Sequence, residues 1–176
     1  MTAPQVPIAV DPKTGIWTTD GLPMIYLPRH FYVNHRDMFE AAFGAEAVAK
    51  VFWDAGYASA WQWCEKESAT HGLSGLDVFR HYMKRLSQRG WGRFTVLDVD
   101  AETGAARVAL DHSIYAEHRG TAAGGRACGP FASWIVGSLE WAGRDMGRPW
   151  HLTAEETACA CEGAPRCLFT ARPKDA

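Results

Sequence analysis

The sequence predicts an α+β fold, because the spacing of its apolar residues changes character at Trp91. Before that residue they recur at intervals of three and four, the period of one helix face. After it they alternate in strand-like runs, interrupted by one long helical pattern. Short turn-forming stretches separate the runs, and no repeat or low-complexity linker divides them. The 176 residues are therefore read as one domain: N-terminal helices, then an antiparallel sheet with one long packed helix.

The opening residues, 1–29, read as extended pieces. Ile8-Ala9-Val10 and Ile16-Trp17-Thr18-Thr19 flank Asp11-Pro12-Lys13-Thr14-Gly15, which has hairpin chemistry, and a short strand is expected over Met24-Ile25-Tyr26-Leu27 before Pro28. A first helix is expected with Asn34 as N-cap, carrying Met38, Phe39, Ala42 and Phe43 and stopping at Gly44. A longer one runs from Ala45 to about His71-Gly72. Ser74 is the expected N-cap of a third, with Leu76, Val78, Phe79, Tyr82, Met83 and Leu86 on one face and Gly90 beyond its end.

Phe94, Val96 and Leu97 then mark one strand and Arg107-Val108-Ala109-Leu110 the next, joined by Asp100-Ala101-Glu102-Thr103-Gly104. His112-Ser113-Ile114-Tyr115-Ala116-Glu117 either extends this sheet or breaks it. Residues 120–125 form a small-residue loop. A fourth helix is predicted from about Pro130 to Met146, and two final strands from Trp150 to Ala158 and from Leu168 to Ala171.

Composition excludes several classes of function. Net charge is -2 with Lys and Arg scattered, which gives no nucleic-acid footprint. No apolar run reaches the length of a membrane span, and the first ten residues lack a secretory pattern. Five cysteines, an odd and clustered set, favour a cytoplasmic location and metal binding over a disulfide framework. There is no dinucleotide or phosphate-loop fingerprint, no Gly-x-Ser-x-Gly elbow and no His-Glu-x-x-His.

The most informative feature lies near the end. Glu156, Cys159, Cys161 and Cys167 fall within twelve positions, and Cys128 stands at the head of the fourth helix pattern. Gly163, Ala164 and Pro165 form a turn between Cys159 and Cys167, so a hairpin would bring both sulfurs to one end. Cys128, Glu156, Cys159 and Cys167 are the expected ligands of a structural zinc ion, with every position taken by protein atoms. Competing readings are a set of buried metal-free cysteines, a Cys159–Cys161 redox pair, His151 in place of Glu156, and Cys161 in place of Cys159.

The run from Glu156-Thr157-Ala158-Cys159 through Gly163 to Cys167-Leu168-Phe169 resembles the closing signature of the 4-vinyl reductase domain family. Cys128, leading into Gly129-Pro130-Phe131-Ala132-Ser133-Trp134, is similar to that family's other ligand position. Phe52-Trp53-Asp54-Ala55-Gly56-Tyr57-Ala58-Ser59 and His112-Ser113-Ile114-Tyr115-Ala116-Glu117 resemble two further stretches of it, so the likeness spans residues 30–172 and leaves 173–176 as a tail. The resemblance implies the ligand-binding fold shared by the sensor halves of phenol- and xylene-responsive activators and by vesicle-tethering subunits. It also implies a structural zinc, a homodimer, and a pocket between helices and sheet.

Two departures stand out. Five extra residues, at about 146–150, separate Cys128 from Glu156, and the aromatic position that caps phenol in the activators falls near Leu110, so phenol itself is not the expected ligand. No ATPase or DNA-binding segment follows within these 176 residues, giving the expectation of a stand-alone domain.

The candidate ligand-binding residues are His112, Trp53, Tyr57, Trp91, Phe94, Leu110, Tyr115 and Trp134, suited to a small apolar or aromatic molecule. His112 is the polar candidate, placed to donate to a ligand oxygen. The preferred function is a small-molecule-binding sensor or accessory domain stabilised by zinc, with no catalytic residue assigned. One alternative is an enzyme of a catabolic or tetrapyrrole pathway using His112 or His71 as acid or base. Another is an interaction module pairing through its helical face.

Overall fold

The computed structural model describes residues 6–121 and 124–174. The first five residues of the opening segment, two positions of the 120–125 loop and the last two of the tail lie outside the described residues. Three short antiparallel strands open the chain, β1 (Ala9–Val10), β2 (Trp17–Thr19) and β3 (Leu22–Met24). Helices α1 (Arg29–Phe43), α2 (Ala45–His71) and α3 (Leu76–Gln88) follow. Next come β4 (Arg93–Val99), β5 (Ala106–Asp111), a short α4 (Ile114–Arg119) and α5 (Pro130–Asp145). β6 (Leu152–Ala158), a single 3-10 turn at Ala160–Glu162 and β7 (Cys167–Pro173) complete the chain. The fold class is α+β, as the sequence predicts.

Helix α5 is the centre of the molecule. Phe131 to Leu139, and then Trp141 to Gly143, are buried, because α5 is covered by α2 and α3 and also packs on β6 and β7. Its approach to α2 is set by two glycines. A Cβ on Gly56 would collide with the Ser133 hydroxyl and the Trp134 ring, and one on Gly137 would lie 2.7 Å from the Tyr57 carbonyl oxygen. Glu140 then locks the register: Oε2 accepts from Tyr57 Oη at 2.7 Å and Oε1 accepts from the Leu152 amide at 2.6 Å.

The four-stranded sheet has the order β4-β5-β7-β6, antiparallel throughout. Phe94 of β4, Val108 and Leu110 of β5, Cys167 and Phe169 of β7, and Leu152, Ala154 and Glu156 of β6 are all buried. A register shift between Val96 and Asp98 leaves Leu97 exposed rather than in the core.

Several boundaries differ from the sequence expectation, each for a physical reason. Helix α1 begins at Arg29 rather than after Asn34, because Pro28 supplies the extended N-cap and its carbonyl accepts from the Phe31 amide. The strand expected through Leu27 ends at Met24, where pairing with Trp17 of β2 stops; Ile25 and Tyr26 are exposed. The N-cap of α3 is Gly75, not Ser74. At φ 52, with Met146 pressed against it, this position excludes a side chain, and its amide donates to Asp145 Oδ2 at 2.7 Å. After β5 the sheet breaks: His112 takes φ 56, and Ser113 caps α4 by accepting from the amides of Tyr115 and Ala116.

Gly137→Ala should lower stability by about 1–3 kcal/mol, since the backbone of α2 must retreat to admit the methyl group. Chemical denaturation of the variant checks this, and an unchanged midpoint would disprove the close approach.

Candidate functional site

The four donors proposed from sequence come together at one end of α5. Cys128 precedes the helix, Glu156 lies on β6, Cys159 follows β6 and Cys167 opens β7. One ligand atom from each lies within 4.8 Å of all the others. The Sγ atoms of Cys128 and Cys167 are 3.5 Å apart and those of Cys167 and Cys159 3.8 Å apart. All three thiols are essentially inaccessible, and Glu156 is 5% exposed.

A strand irregularity makes the arrangement possible. Along a regular strand, residues three apart face opposite sides, which would separate Glu156 from Cys159. Between Glu156, paired with Phe169, and Ala158, paired with Leu168, the ladder accommodates one extra residue. Thr157 is turned outward at this bulge, and both Glu156 and Cys159 are buried.

Neighbouring groups hold the donors in place. Glu156 Oε2 accepts from the Cys128 amide at 2.9 Å, while Glu156 Oε1 is buried with no hydrogen-bond partner. The Ser113 hydroxyl lies 3.0 Å from Cys128 Sγ, and the Ala160 amide donates to Cys167 Sγ at 3.4 Å. Arg126 binds the Glu156 carbonyl and the Glu162 carboxylate. Neither Ser113 nor Arg126 was marked as a partner of this cluster in sequence. The helix-capping signal of Ser113 was readable, but its contact with a sulfur fifteen residues away was not.

The electrostatics would suit a cation. Burial raises the Glu156 carboxyl above its usual range, and burial, followed by the neighbouring Glu156 carboxylate, pushes Cys159 up to about 12. The hydrogen bond shared by Cys128 and Cys167 raises the first thiol and lowers the second. Among the described residues none of the four acidic side chains accepts a hydrogen bond from a cationic one, so all four could be deprotonated together only around a positive ion. The donor set and the partnerless Glu156 oxygen both fit one tetrahedral cation. The other two residues considered in sequence point elsewhere: Cys161 Sγ donates to the Ala116 carbonyl at 3.7 Å, and His151 is exposed beside Trp53, Tyr57 and Glu140.

The eight candidate pocket residues do not line one cavity. Phe94, Leu110, Tyr115 and Trp134 are buried in the core. Phe131 packs edge-on against Phe94 and Trp134, with ring centroids 5.3 and 5.1 Å away, and at a tilt against Tyr115 at 5.2 Å. Trp53 and Tyr57 border a groove on the α2–α5 side. His112 is 73% exposed and its Nδ1 lies 3.0 Å from Glu117 Oε1, so its side chain faces solvent.

Trp91 alone of the eight lines an apolar cleft, a space of about 380 Å³ between the β3–α1 segment and the body of the domain. Met24, Tyr26, Leu27, Tyr32 and Ile114 share its wall. The cleft was not legible in sequence because its outer wall is the irregular stretch after β3.

Ser113→Ala removes both the α4 cap and the hydroxyl against Cys128. It should cost about 0.5–2 kcal/mol in denaturant unfolding; no loss would mean that neither contact matters to the folded state.

Comparison with known proteins places the fold. The phenol-responsive sensory domain of the transcription activator PoxR, solved with phenol, superposes with a TM-score of 0.79 at 18% identity, covering 94% of this chain and 84% of that one. A trafficking protein particle complex subunit 3 from Naegleria fowleri, covalently bound to palmitic acid, gives a TM-score of 0.52 at 12% identity, covering 84% and 93%. No curated protein matches the sequence. At these identities the likeness is one of fold alone. A family model does match the sequence over residues 2–97, more than half its length, and the chain belongs to that family, described as Domain of unknown function (DUF5943).

Proposed function

We propose that this chain is a small-molecule-binding domain of sensor or accessory type, stabilised by a structural zinc ion. The observation that carries the reading is the apolar cleft over Trp91, in a fold shared with a phenol-responsive sensory domain. The wall offers flat aromatic faces from Tyr32 and Trp91. Trp91 in turn stands edge-on against Trp134, with centroids 4.8 Å apart, which ties the cleft to the aromatic core. A small apolar or aromatic molecule suits such a surface.

Zinc is supported by distance. Thiolates at about 2.3 Å from a tetrahedral zinc stand roughly 3.8 Å apart, and the two sulfur–sulfur separations are 3.5 and 3.8 Å. Protein atoms would fill every position, so the ion is structural. The signature from Glu156 to Phe169, with Cys128, is the basis for relating the chain to the 4-vinyl reductase domain family. The exposed Met38, Phe39 and Phe43 on α1 support pairing of two copies, and free buried cysteines suit a reducing, cytoplasmic compartment.

Cys159→Ala should abolish zinc in elemental analysis and lower Tm by about 5–10 °C, the loss expected for a well-occupied site in a domain this size. Native protein free of zinc would overturn the assignment. Trp91→Leu should weaken binding of monocyclic aromatics about tenfold or more in calorimetric titration, with the far-ultraviolet spectrum unchanged. Equal affinity in the variant would place the ligand elsewhere.

A further inference from the structure

A second group of metal-type donors lies at the far end of α2, away from the cluster of Cys128, Cys159 and Cys167. Glu67 and His71 are four residues apart on α2 and so share a face; His81 approaches from α3 and Asp20 from the turn between β2 and β3. His81 Nε2 is 2.9 Å and His71 Nε2 3.1 Å from the same oxygen, Glu67 Oε2. His71 Nε2 is also 3.4 Å from Asp20 Oδ1. Ligand atoms of Glu67, His71 and His81 all lie within 4.8 Å of one another.

Hydrogen bonding alone leaves this cluster incomplete. Two neutral imidazoles carry at most two Nε2 protons for three nitrogen–oxygen contacts. Glu67 is fully buried, yet among the described residues its Oε1 has no hydrogen-bond partner, and neither has Asp20 Oδ2. Arg85 donates to Asp20 Oδ1 at 2.8 Å, and Arg89 Nη2 stands 3.7 Å from Asp20 Oδ2. These guanidiniums pair with Asp20, and their charge also reaches Glu67 from farther away. The Glu67 carboxylate pairs with the two histidines alone among the described residues.

We propose that Glu67, His71 and His81, with Asp20 as the outer ligand, bind a divalent transition-metal ion. Nitrogen and oxygen ligands at about 2.1 Å from such an ion are separated by roughly 3.0 Å at octahedral and 3.4 Å at tetrahedral angles. The three contacts above span that interval. The mixed imidazole–carboxylate set selects zinc, cobalt, nickel or iron(II) over calcium or magnesium. His71 is 31% exposed at its side chain, so the ion enters from solvent along its edge. Bound there, it would join α2, α3 and the strand turn that leads into the wall of the apolar cleft.

Cobalt(II) is the probe, titrated into the full chain after its resident metal has been quantified. Wild type should take up one equivalent with weak visible bands and no near-ultraviolet thiolate charge-transfer band, the latter being the mark of the cysteine site. His71→Ala should lose that equivalent while keeping its far-ultraviolet spectrum. His81→Asn serves as the second variant, and its cobalt uptake should fall likewise. Uptake that is equal in wild type and both variants would overturn the proposal, as would a wild type that binds cobalt only with thiolate bands. Failure of the cysteine assignment would show separately, as native protein with no resident zinc before the titration.

Discussion

The structure depends on how closely α5 can lie against α2. At Gly56 and Gly137 no side chain separates the two helices, and Trp134 and the Tyr57 carbonyl occupy the space a Cβ would need. That contact puts α5 within reach of β6 and β7 on its other side, so one helix buries two layers at once. The Glu140 carboxylate joins Tyr57 of α2 to Leu152 of β6 and fixes the rotation of α5 between them. Burial of the large residues on α5 supplies the favourable term; the glycines and Glu140 decide its direction.

The cysteine cluster is a consequence of this placement. With α5 seated, the residues leading into its first turn bring Cys128 to the turn end of the β6–β7 hairpin. Glu156, Cys159 and Cys167 come from the hairpin itself. Two pieces distant in sequence therefore meet at the four donors, where a bound cation would tie the last ribbon to the central helix. The second cluster has the same logic at the opposite end of α2, where Asp20 brings the opening strands to Glu67, His71 and His81.

Much of this was readable in the chain. The change of period at Trp91 gave the order of helices and strands, and the cysteine spacing gave four donors that do converge. The reasons for their convergence were not readable. The outward turn of Thr157, on which the pairing of Glu156 with Cys159 rests, depends on a bulge in the β6–β7 ladder, which a strict two-residue alternation passes over. His112 looked like a pocket residue at a strand end, but its left-handed backbone turns it out toward Glu117. Aromatic residues spaced for a pocket turned out to be core, because Phe131 fills the space between Phe94, Tyr115 and Trp134. Glu67 and His71 share a visible helical spacing; Asp20 and His81 join them only through tertiary packing.

Helix α5 also acts as a ruler. Cys128 and Gly137 are read by different neighbours, the first by the hairpin and the second by α2. Adding one residue between them would rotate one about 100° and shift it about 1.5 Å relative to the other, so neither neighbour could be satisfied without losing the other. Changes of length in related chains should therefore be confined to the connection after Asp145, where the backbone passes through Met146 and Gly147 before β6 begins. The helix keeps a fixed measure, and the turn beyond it absorbs the drift.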